Sequence, residues 1–328
     1  MKQNTLSPNK EIFVHIGFGK TATTTLQQEI FPKLCEFVNF QYWKNNQYLT
    51  TQIRSHQLKL ELGLKCEPIN FPDKVLISSE SLCAWDPYYW EEYAEKNLIA
   101  FGKEAHIILT IREPKSYLTS NYIQLCLHEL KGVQKPQYFF LNNDVYSERL
   151  PGPKFAIDKF SYNTVIDLYK HRFDKVTIIK YEYLDQLMFL TELFSITENQ
   201  LNILRNKFKI KTFNRGFSVR GVEYTFKLSK ILNMFKLSLG SEMTNGIIDG
   251  LKYDIDKKSL NLTKPNVING IILRLFRELQ WRHFVQERLD KLLPYKKYTL
   301  DFTELPYIDI KKLEKEYEDL PNEITHSK

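Results

Sequence analysis

The pattern of hydrophobic positions predicts four buried β-strands. Short runs of aliphatic and β-branched residues without strict alternation are typical of strands that are covered on both faces of a parallel sheet. Apolar residues recur at helical spacing between the runs, as at Leu26, Ile30 and Leu34. The four runs are IFVHI (12–16), KVLIS (74–78), AHIILTI (105–111) and KVTIIKY (175–181). The alternation of strands and helices predicts an α/β fold with a doubly wound parallel sheet and helices on both faces.

The segments outside the predicted sheet have weaker patterns. Residues 131–160 carry three of the 13 prolines and show no clear period, so we expect a long functional loop there. From residue 182 onward the pattern is mostly helical. Residues 222–239 are amphipathic, and we expect them to form a helix that packs on the sheet. A helix that lies on a membrane surface is the alternative.

The composition is that of a globular protein of enzyme size. With 328 residues, of which 43% are hydrophobic, the chain is long enough for one large α/β domain. We expect this domain to cover residues 1–328, with a mostly helical part at 241–328 and flexible tails at 1–10 and 320–328. No apolar run approaches the roughly 20 residues that span a bilayer, and the N-terminus lacks the apolar region of a secretory signal. We therefore expect a cytoplasmic protein.

The charge distribution and the positions of the histidines and cysteines indicate which partners and sites to expect. The formal net charge is +7, but Lys and Arg are spread along the chain without a basic block, so we expect no nucleic-acid partner. His15 and His106 fall within predicted strands and are expected to be core groups with hydrogen-bond partners. The cysteines show no metal-binding or disulfide spacing, so we expect free and mostly buried thiols. They are Cys35, Cys66, Cys83 and Cys126.

The residues after the first predicted strand have the chemistry of an anion-binding loop. The sequence GFGKTATT (17–24) joins the strand to a helix, whose N-terminus provides unpaired N–H groups and a positive dipole end. Lys20 adds a mobile positive charge, and the threonine hydroxyls add donors. A nucleotide triphosphatase loop requires a glycine five positions before Gly19, where Val14 stands, and no predicted strand ends in a magnesium-binding aspartate. A threonine-rich helix start that only caps itself is the alternative.

This loop resembles the 5′-phosphosulfate loop of the sulfotransferases that use 3′-phosphoadenosine 5′-phosphosulfate (PAPS). Their pattern is G-x-x-K-[ST]-[GA]-T-[ST], and residues 17–24 are similar to it at every position, with Ala22 where glycine is commoner. Thr25 stands where cytosolic members place a tryptophan, so the bacterial or carbohydrate-directed branch is the nearer match. The resemblance covers about residues 12–240 and implies a P-loop-like fold and a reaction without metal. It also implies that the donor is bound by Gly17, Phe18, Gly19, Lys20, Thr21, Ala22, Thr23 and Thr24.

A second motif resembles the 3′-phosphate site of the same family. Relatives carry an arginine at the end of a later strand and a serine eight residues on, and Arg112 and Ser120 have this spacing. A planar guanidinium grips a phosphate well, and a serine two turns into a helix can face back toward the strand end. Pro114 suits the first turn of that helix. A salt bridge with Glu113 is the alternative for Arg112.

Two weaker resemblances extend the nucleotide site. KVTIIKYEYL (175–184) is similar to a strand followed by Tyr-Glu-Asp-Leu, with Tyr183 in place of the aspartate. This implies that Tyr181 lies near the adenine and that Glu182 is structural, while a core aromatic is the alternative for Tyr181. NRGFSVRG (214–221) falls where relatives close a loop over the 3′-phosphate, and Arg220 with Gly221 are the preferred contacts.

Glu80 is the candidate general base. It follows the second predicted strand, at a position where relatives that act on glycans use a glutamate. A carboxylate of ordinary pKa, about 4.3, is a weak base, so we expect Glu80 to be partly desolvated. Trp85 and residues 88–90 could enclose it and form a platform for a sugar. A residue that fixes Lys20 is the alternative role for Glu80, and His56 is the alternative base.

Taken together, the resemblances predict an enzyme that transfers the sulfuryl group of PAPS to a hydroxyl or amine of a carbohydrate or glycolipid. Lys20 would stabilise the leaving group during in-line attack, and Glu80 would take the acceptor's proton. A P-loop kinase-like phosphotransferase and a non-catalytic nucleotide-binding relative are the alternatives.

Overall fold

The structure is a computed structural model that describes residues 10–44, 69–127, 133–150, 152–209, 217–234, 285, 288 and 295–327. The strands of its main sheet are β1 (Glu11–His15), β2 (Gln41–Lys44), β3 (Lys74–Ser78), β4 (His106–Ile111), β7 (Lys175–Lys180) and β8 (Glu323–Ser327); β5 (Phe140–Leu141) and β6 (Phe155–Ala156) pair separately. The order across the main sheet is β2-β3-β1-β4-β7-β8. The first five strands in this order are parallel, and β8 runs antiparallel to β7.

The α/β fold with a parallel sheet is confirmed. The four predicted runs form β1, β3, β4 and β7, and all six residues of β4 are buried, as the unbroken apolar pattern indicated. The pattern did not reveal β2, which is short and only partly buried at one edge of the sheet. The prediction of a flexible tail at 320–328 was wrong for β8, because its polar sequence EITHS gives no apolar signal although its backbone pairs with β7.

The helices follow the predicted alternation. In the described part of the chain, the α-helices are α1 (Thr23–Thr25), α2 (Phe31–Val38), α3 (Trp90–Phe101), α4 (Pro114–Tyr122), α5 (Pro136–Phe139), α6 (Tyr162–Arg172), α7 (Met188–Phe194), α8 (Glu198–Lys209), α9 (Val219–Met234) and α10 (Ile310–Asp319). A π-helical turn, Leu26–Ile30, joins α1 to α2. Short 3-10 helices occupy Glu80–Leu82, Pro87–Tyr89, Ile157–Lys159, Tyr181–Gln186 and Phe302–Glu304.

The helical segment after β1 is held by its apolar face. Leu26, Ile30 and Leu34 are fully buried, as their spacing predicted, and belong to a core cluster that includes Phe13 of β1 and Ile108 of β4. Burying such a side chain contributes about 1.5 to 3 kcal/mol to stability. The packing of these three residues therefore fixes the helix, and with it the loop that precedes it.

The chain divides into two compact units rather than the single unit that we expected for residues 1–328. The first consists of Met1–Tyr117, Lys159–Asn214 and Asp309–Lys328 and contains the main sheet. The second consists of Leu118–Asp158 and Arg215–Ile308. Of the expected helical part at 241–328, the described residues 295–327 contain α10 and β8 as well as irregular segments.

In the described residues of the expected loop at 131–160, the structure shows short elements within an otherwise irregular segment. Within the second unit, α5, β5 and β6 pack together through Phe139, Phe140 and Phe155, all of which are fully buried. The aromatic residues of this segment indicated a small core, but its three prolines favoured the prediction of a loop. The helix expected at 222–239 begins earlier, as α9, and its residues 235–239 lie outside the described part. Among the described residues, no helix is both long and apolar enough to cross a membrane.

Candidate functional site

The predicted site segments follow four strands that are neighbours in the sheet. The order β3-β1-β4-β7 places Glu80, the loop 17–24, Arg112 and Tyr181 just beyond the carboxyl ends of these strands. β1 pairs with β3 on one side and with β4 on the other, and the chain crosses over β1 as it passes from β3 to β4, so the strand order reverses at β1. Parallel sheets bind ligands outside the carboxyl ends of the strands at such a reversal. All four segments belong to the first unit.

The backbone of the loop after β1 has an unusual conformation at two non-glycine residues. Lys20 and Ala22 have φ of 70° and 57°, in the left-handed region, and Ala22 is the N-cap residue of α1. Each such residue costs about 1 to 2 kcal/mol when it is not glycine. Backbone turns of this kind turn successive N–H groups toward a common point and form anion-binding concavities.

The atoms around Gly17 and Gly19 leave no room for a side chain at either position. A Cβ at residue 17 would stand 2.0 Å from Thr110 Oγ1 and 2.7 Å from His15 Nε2. A Cβ at residue 19 would stand 2.0 Å from Cη2 of Trp85. The loop is therefore pressed against a buried polar group on one side and against an indole ring on the other.

Phe18 and Thr21 support the loop from within the protein. The Phe18 ring is buried and packs on Trp90 and Tyr117, with ring centroids 5.3 Å apart in both cases, and its amide donates to Thr110 O at 3.3 Å. The hydroxyl of buried Thr21 donates to Phe18 O at 2.6 Å. The side chains of these two predicted donor-binding residues thus point into the protein. Thr23 is buried and Thr24 is partly exposed.

Arg112 brings three of the predicted nucleotide contacts together. Its Nη1 donates to the carbonyl oxygen of Lys20 at 2.9 Å, and its guanidinium lies 4.6 Å from the ring centroid of Tyr181. Tyr162 donates its hydroxyl proton to Arg112 O. The carboxylate of Glu113 accepts from the first amides of α4, at 2.8 and 2.9 Å, and α4 begins at Pro114 as predicted.

Glu80 is partly buried in the 3-10 turn that follows β3. Burial raises the pKa of its carboxyl group, and the positive charge of Lys20 partly offsets this rise. Ser79, the N-cap residue of the turn, accepts from Ser81 N at 3.3 Å and so fixes the start of the turn. A desolvated carboxylate beside a lysine suits both a general base and a partner of that lysine.

The aromatic residues after Glu80 differ in their exposure to solvent. Trp85 is partly exposed and lies against Gly19, while Tyr88 carries the ammonium group of Lys159 4.5 Å from its ring centroid. Trp90, by contrast, is 2% exposed and donates its Nε1–H to Ala84 O at 3.0 Å. Trp90 is therefore a core residue, and its predicted place in a sugar platform was wrong.

Glu182 has the structural role that the sequence indicated. Its carboxylate accepts from the amide of Glu113 at 3.2 Å and from the hydroxyl of Tyr317 in α10. It therefore ties the segment after β7 to the start of α4 and to the C-terminal helix. Tyr183, which replaces the family's aspartate, is 41% exposed.

The remaining predicted contacts lie in the second unit or outside the described residues. Ser120 is a partly exposed residue of α4 in the second unit. Arg220 is exposed, and Gly221 is buried with its amide donating to Ser218 Oγ at 2.9 Å in the first turn of α9. This bond caps the helix, and it occupies the Gly221 amide that a nucleotide phosphate would need. His56 lies outside the described residues.

A row of buried polar groups beneath the loop escaped the sequence-based site prediction, and we call it the loop-support chain. Successive members lie 3.2, 2.8, 3.4, 2.7 and 2.6 Å apart. In order, the members are Gln27 Nε2, Ser78 Oγ, the two ring nitrogens of His15, Thr110 Oγ1, Thr21 Oγ1 and Phe18 O. The sequence shows a polar residue near the carboxyl end of three apolar strands, namely His15, Ser78 and Thr110, of which only His15 was predicted to be a core group.

Within the part of the chain that the structure describes, no group of three or more His, Cys, Asp or Glu side chains could hold a metal ion. The cysteines Cys35, Cys83 and Cys126 are buried free thiols, and Cys66 lies outside the described residues. The chain matches no model of a known protein family and no curated protein sequence.

Proposed function

We propose that this protein is a PAPS-dependent sulfotransferase that acts on a carbohydrate or glycolipid acceptor. The observation that carries the proposal is the contact between Arg112 and the carbonyl oxygen of Lys20, with Tyr181 beneath the guanidinium. These three residues come from three segments of the sequence, and each was expected to bind a different part of one nucleotide. Their meeting at one edge of the sheet supports a single nucleotide site.

The donor groups present suit a nucleotide that carries two anionic ends. The loop with its left-handed residues Lys20 and Ala22 offers backbone amides and an ammonium group for the 5′ end. Arg112 offers a planar fork for the 3′-phosphate, and Tyr181 an aromatic face for the base. Bound PAPS would supply the sulfuryl group that is transferred. The Lys20 ammonium would stabilise negative charge on the leaving phosphate, and Glu80 would take the acceptor's proton.

The parallel sheet supports a P-loop-like, doubly wound arrangement as part of the same proposal. The loop follows the central strand β1 and leads directly into a helix, and the strand order reverses at β1. These are the features by which such folds hold phosphate groups at their carboxyl edge.

The partly exposed aromatic residues Trp85 and Tyr88 favour a sugar as the acceptor. Trp85 lies against the loop at Gly19, and Tyr88 carries the Lys159 ammonium group. Aromatic faces suit the apolar faces of sugar rings, and the lysine adds attraction for an acidic sugar.

Calorimetric titration with 3′,5′-adenosine bisphosphate, the product expected from PAPS, tests the proposal. We expect the wild-type protein to bind it with micromolar affinity without added metal. Lys20→Ala and Arg112→Ala should each weaken binding by about 10- to 100-fold, the loss expected for a hydrogen bond to a charged group. Arg172→Ala is the matched control, because this arginine pairs with Glu95 on the surface at 3.1 Å.

Titration with magnesium-ATP tests the alternative functions. A protein that binds ATP tightly only with magnesium, and that ignores the bisphosphate, would instead be a kinase-like phosphotransferase. A protein that binds the bisphosphate but releases none from PAPS with any of a panel of sugar acceptors would be a non-catalytic nucleotide-binding protein.

A further inference from the structure

The direction of the hydrogen bonds in the loop-support chain can be assigned from its Phe18 end. A carbonyl oxygen only accepts, so Thr21 must donate to Phe18 O, and Thr110 must then donate to Thr21. Thr110 has its proton committed, so it accepts from Nε2–H of His15. Complete burial lowers the pKa of His15 to about 3, so the ring is neutral, and its bare Nδ1 accepts the hydroxyl proton of Ser78.

The other end of the chain agrees with this direction. Gln27 Nε2 is an amide donor, and it donates to Ser78 Oγ at 3.2 Å. The neutral imidazole of His15 thus carries its proton on Nε2.

His15 stands between the two halves of the candidate site. Its Nε2 side leads through Thr110 and Thr21 to the loop that carries Lys20. Its Nδ1 side leads to Ser78, and its carbonyl oxygen accepts from Ser79 N at 3.1 Å. Ser78 and Ser79 directly precede Glu80. One ring is thus hydrogen-bonded toward both segments that carry the candidate catalytic groups.

We propose that His15 is a positioning residue that fixes the loop through Thr110 and the Glu80 segment through Ser78, and so sets the spacing between Lys20 and Glu80. This inference rests on the proposed function. A buried pair of hydrogen bonds on one rigid ring suits this task, because small displacements of reacting groups cost much of an enzyme's rate. The proposal gives the two ring nitrogens separate and measurable consequences.

Two amide variants separate the two sides of the ring. The amide of His15→Gln places a donor near the position of Nε2 and keeps the bond to Thr110, whereas His15→Asn places an acceptor near Nδ1 and keeps the bond to Ser78. Binding of 3′,5′-adenosine bisphosphate reports on the loop. The NMR titration of the ¹³C-labelled Glu80 carboxyl group, assigned with Glu80→Gln, reports on the other segment.

We expect His15→Asn to weaken bisphosphate binding about tenfold, roughly the loss of one or two buried hydrogen bonds, with the Glu80 titration unchanged. His15→Gln should bind as the wild type does, but its Glu80 pKa should fall by about half a pH unit or more, toward the ordinary value, because the segment loses burial. His106→Gln is the control, since His106 is a buried strand histidine that bonds Thr177 instead, at 2.8 Å.

Variants on the far side of each bond keep the test decisive if a His15 variant fails to fold. Thr110→Val should reproduce the His15→Asn result, and Ser78→Ala should reproduce the His15→Gln result. Folded variants that leave both measurements unchanged, or that change both together, overturn the role of His15. A wild-type protein that binds no bisphosphate overturns the proposed function, and the inference with it.

Discussion

Arg112 donates a hydrogen bond from Nη1 to the carbonyl oxygen of Lys20 at 2.9 Å, which joins the end of β4 to the loop after β1. The residue expected to grip one phosphate therefore also holds the loop expected to bind another. Loss of the side chain would release the loop and, at the same time, remove the contact expected with the 3′-phosphate.

The geometry at Arg112 predicts that a lysine cannot replace it. Arg112→Lys keeps the positive charge but loses both the planar fork and the stacking on Tyr181. We expect bisphosphate binding to fall about 10-fold or more, nearly as far as in Arg112→Ala. Calorimetry of the three proteins side by side measures this, and near-wild-type affinity in Arg112→Lys would reduce the role of Arg112 to charge alone.

The contact between Gly19 and Trp85 predicts a specific suppressor. Gly19→Ala should strongly weaken bisphosphate binding, because the added Cβ would stand 2.0 Å from the indole. Trp85→Leu should restore a large part of that loss by making room. Gly17→Ala is the control, because its clash is with Thr110 and His15, and Trp85→Leu should not rescue it. Equal rescue of both glycine variants would contradict the close packing described here.

The environment of Glu80 predicts a shifted titration. Burial raises its pKa and Lys20 lowers it, so Lys20→Met should raise the pKa of Glu80 further. Since a general base acts when deprotonated, a raised pKa of Glu80 moves the acid limb of the pH–rate profile to higher pH. Carboxyl NMR of Lys20→Met measures the first effect without any acceptor. Glu80→Gln should slow transfer about 10²- to 10⁴-fold at pH 7, and full activity in that variant would exclude a base role for Glu80.

The buried strand histidines predict a loss of stability in mild acid. Burial, followed by the charge of Lys175, lowers the pKa of His106 from 6.5 to about 4. Between these values the unfolded chain binds a proton that the folded chain does not, so the free energy of unfolding falls as pH falls, by up to about 1.4 kcal/mol per pH unit. His106→Gln should reduce this slope. Urea unfolding at pH 7.5, 6 and 5 measures it, and identical slopes in variant and wild type would contradict the assignment.

The parts of the fold that sequence revealed are those with a one-dimensional apolar pattern. Unbroken runs such as residues 105–111 identify strands that are covered on both faces, and the spacing of Leu26, Ile30 and Leu34 identifies the helix that follows the loop. β8 escaped because backbone pairing with β7, and not an apolar side-chain pattern, defines it. A strand of that kind is visible only when its partner's position in space is known.

The candidate site likewise contains some features that a local motif predicts and others that depend on contacts in space. Lys20, Arg112 and Tyr181 were predicted as site residues because each lies in a local motif, and the structure brings them together. The roles of Phe18 and Trp90 depend on burial, which a motif does not encode. His15 was correctly predicted to be a core residue with partners, but its place between two segments of the candidate site depends on Ser78 and Thr110 of neighbouring strands.

The pairing of β8 with β7 has a consequence for how the protein is made. Lys180, the last residue of β7, donates from Nζ to the carbonyl of Leu320, which is 140 residues further along the chain. A ribosome adds about 5 to 20 residues per second, so the apolar strand β7 waits on the order of ten seconds for its neighbour during synthesis. Throughout that interval the edge of β7 that faces away from β4 is unpaired, and it is a template for strands of other nascent chains. Slow translation or low temperature should therefore favour co-translational aggregation of this protein, and chaperones that shield strand edges should counteract it.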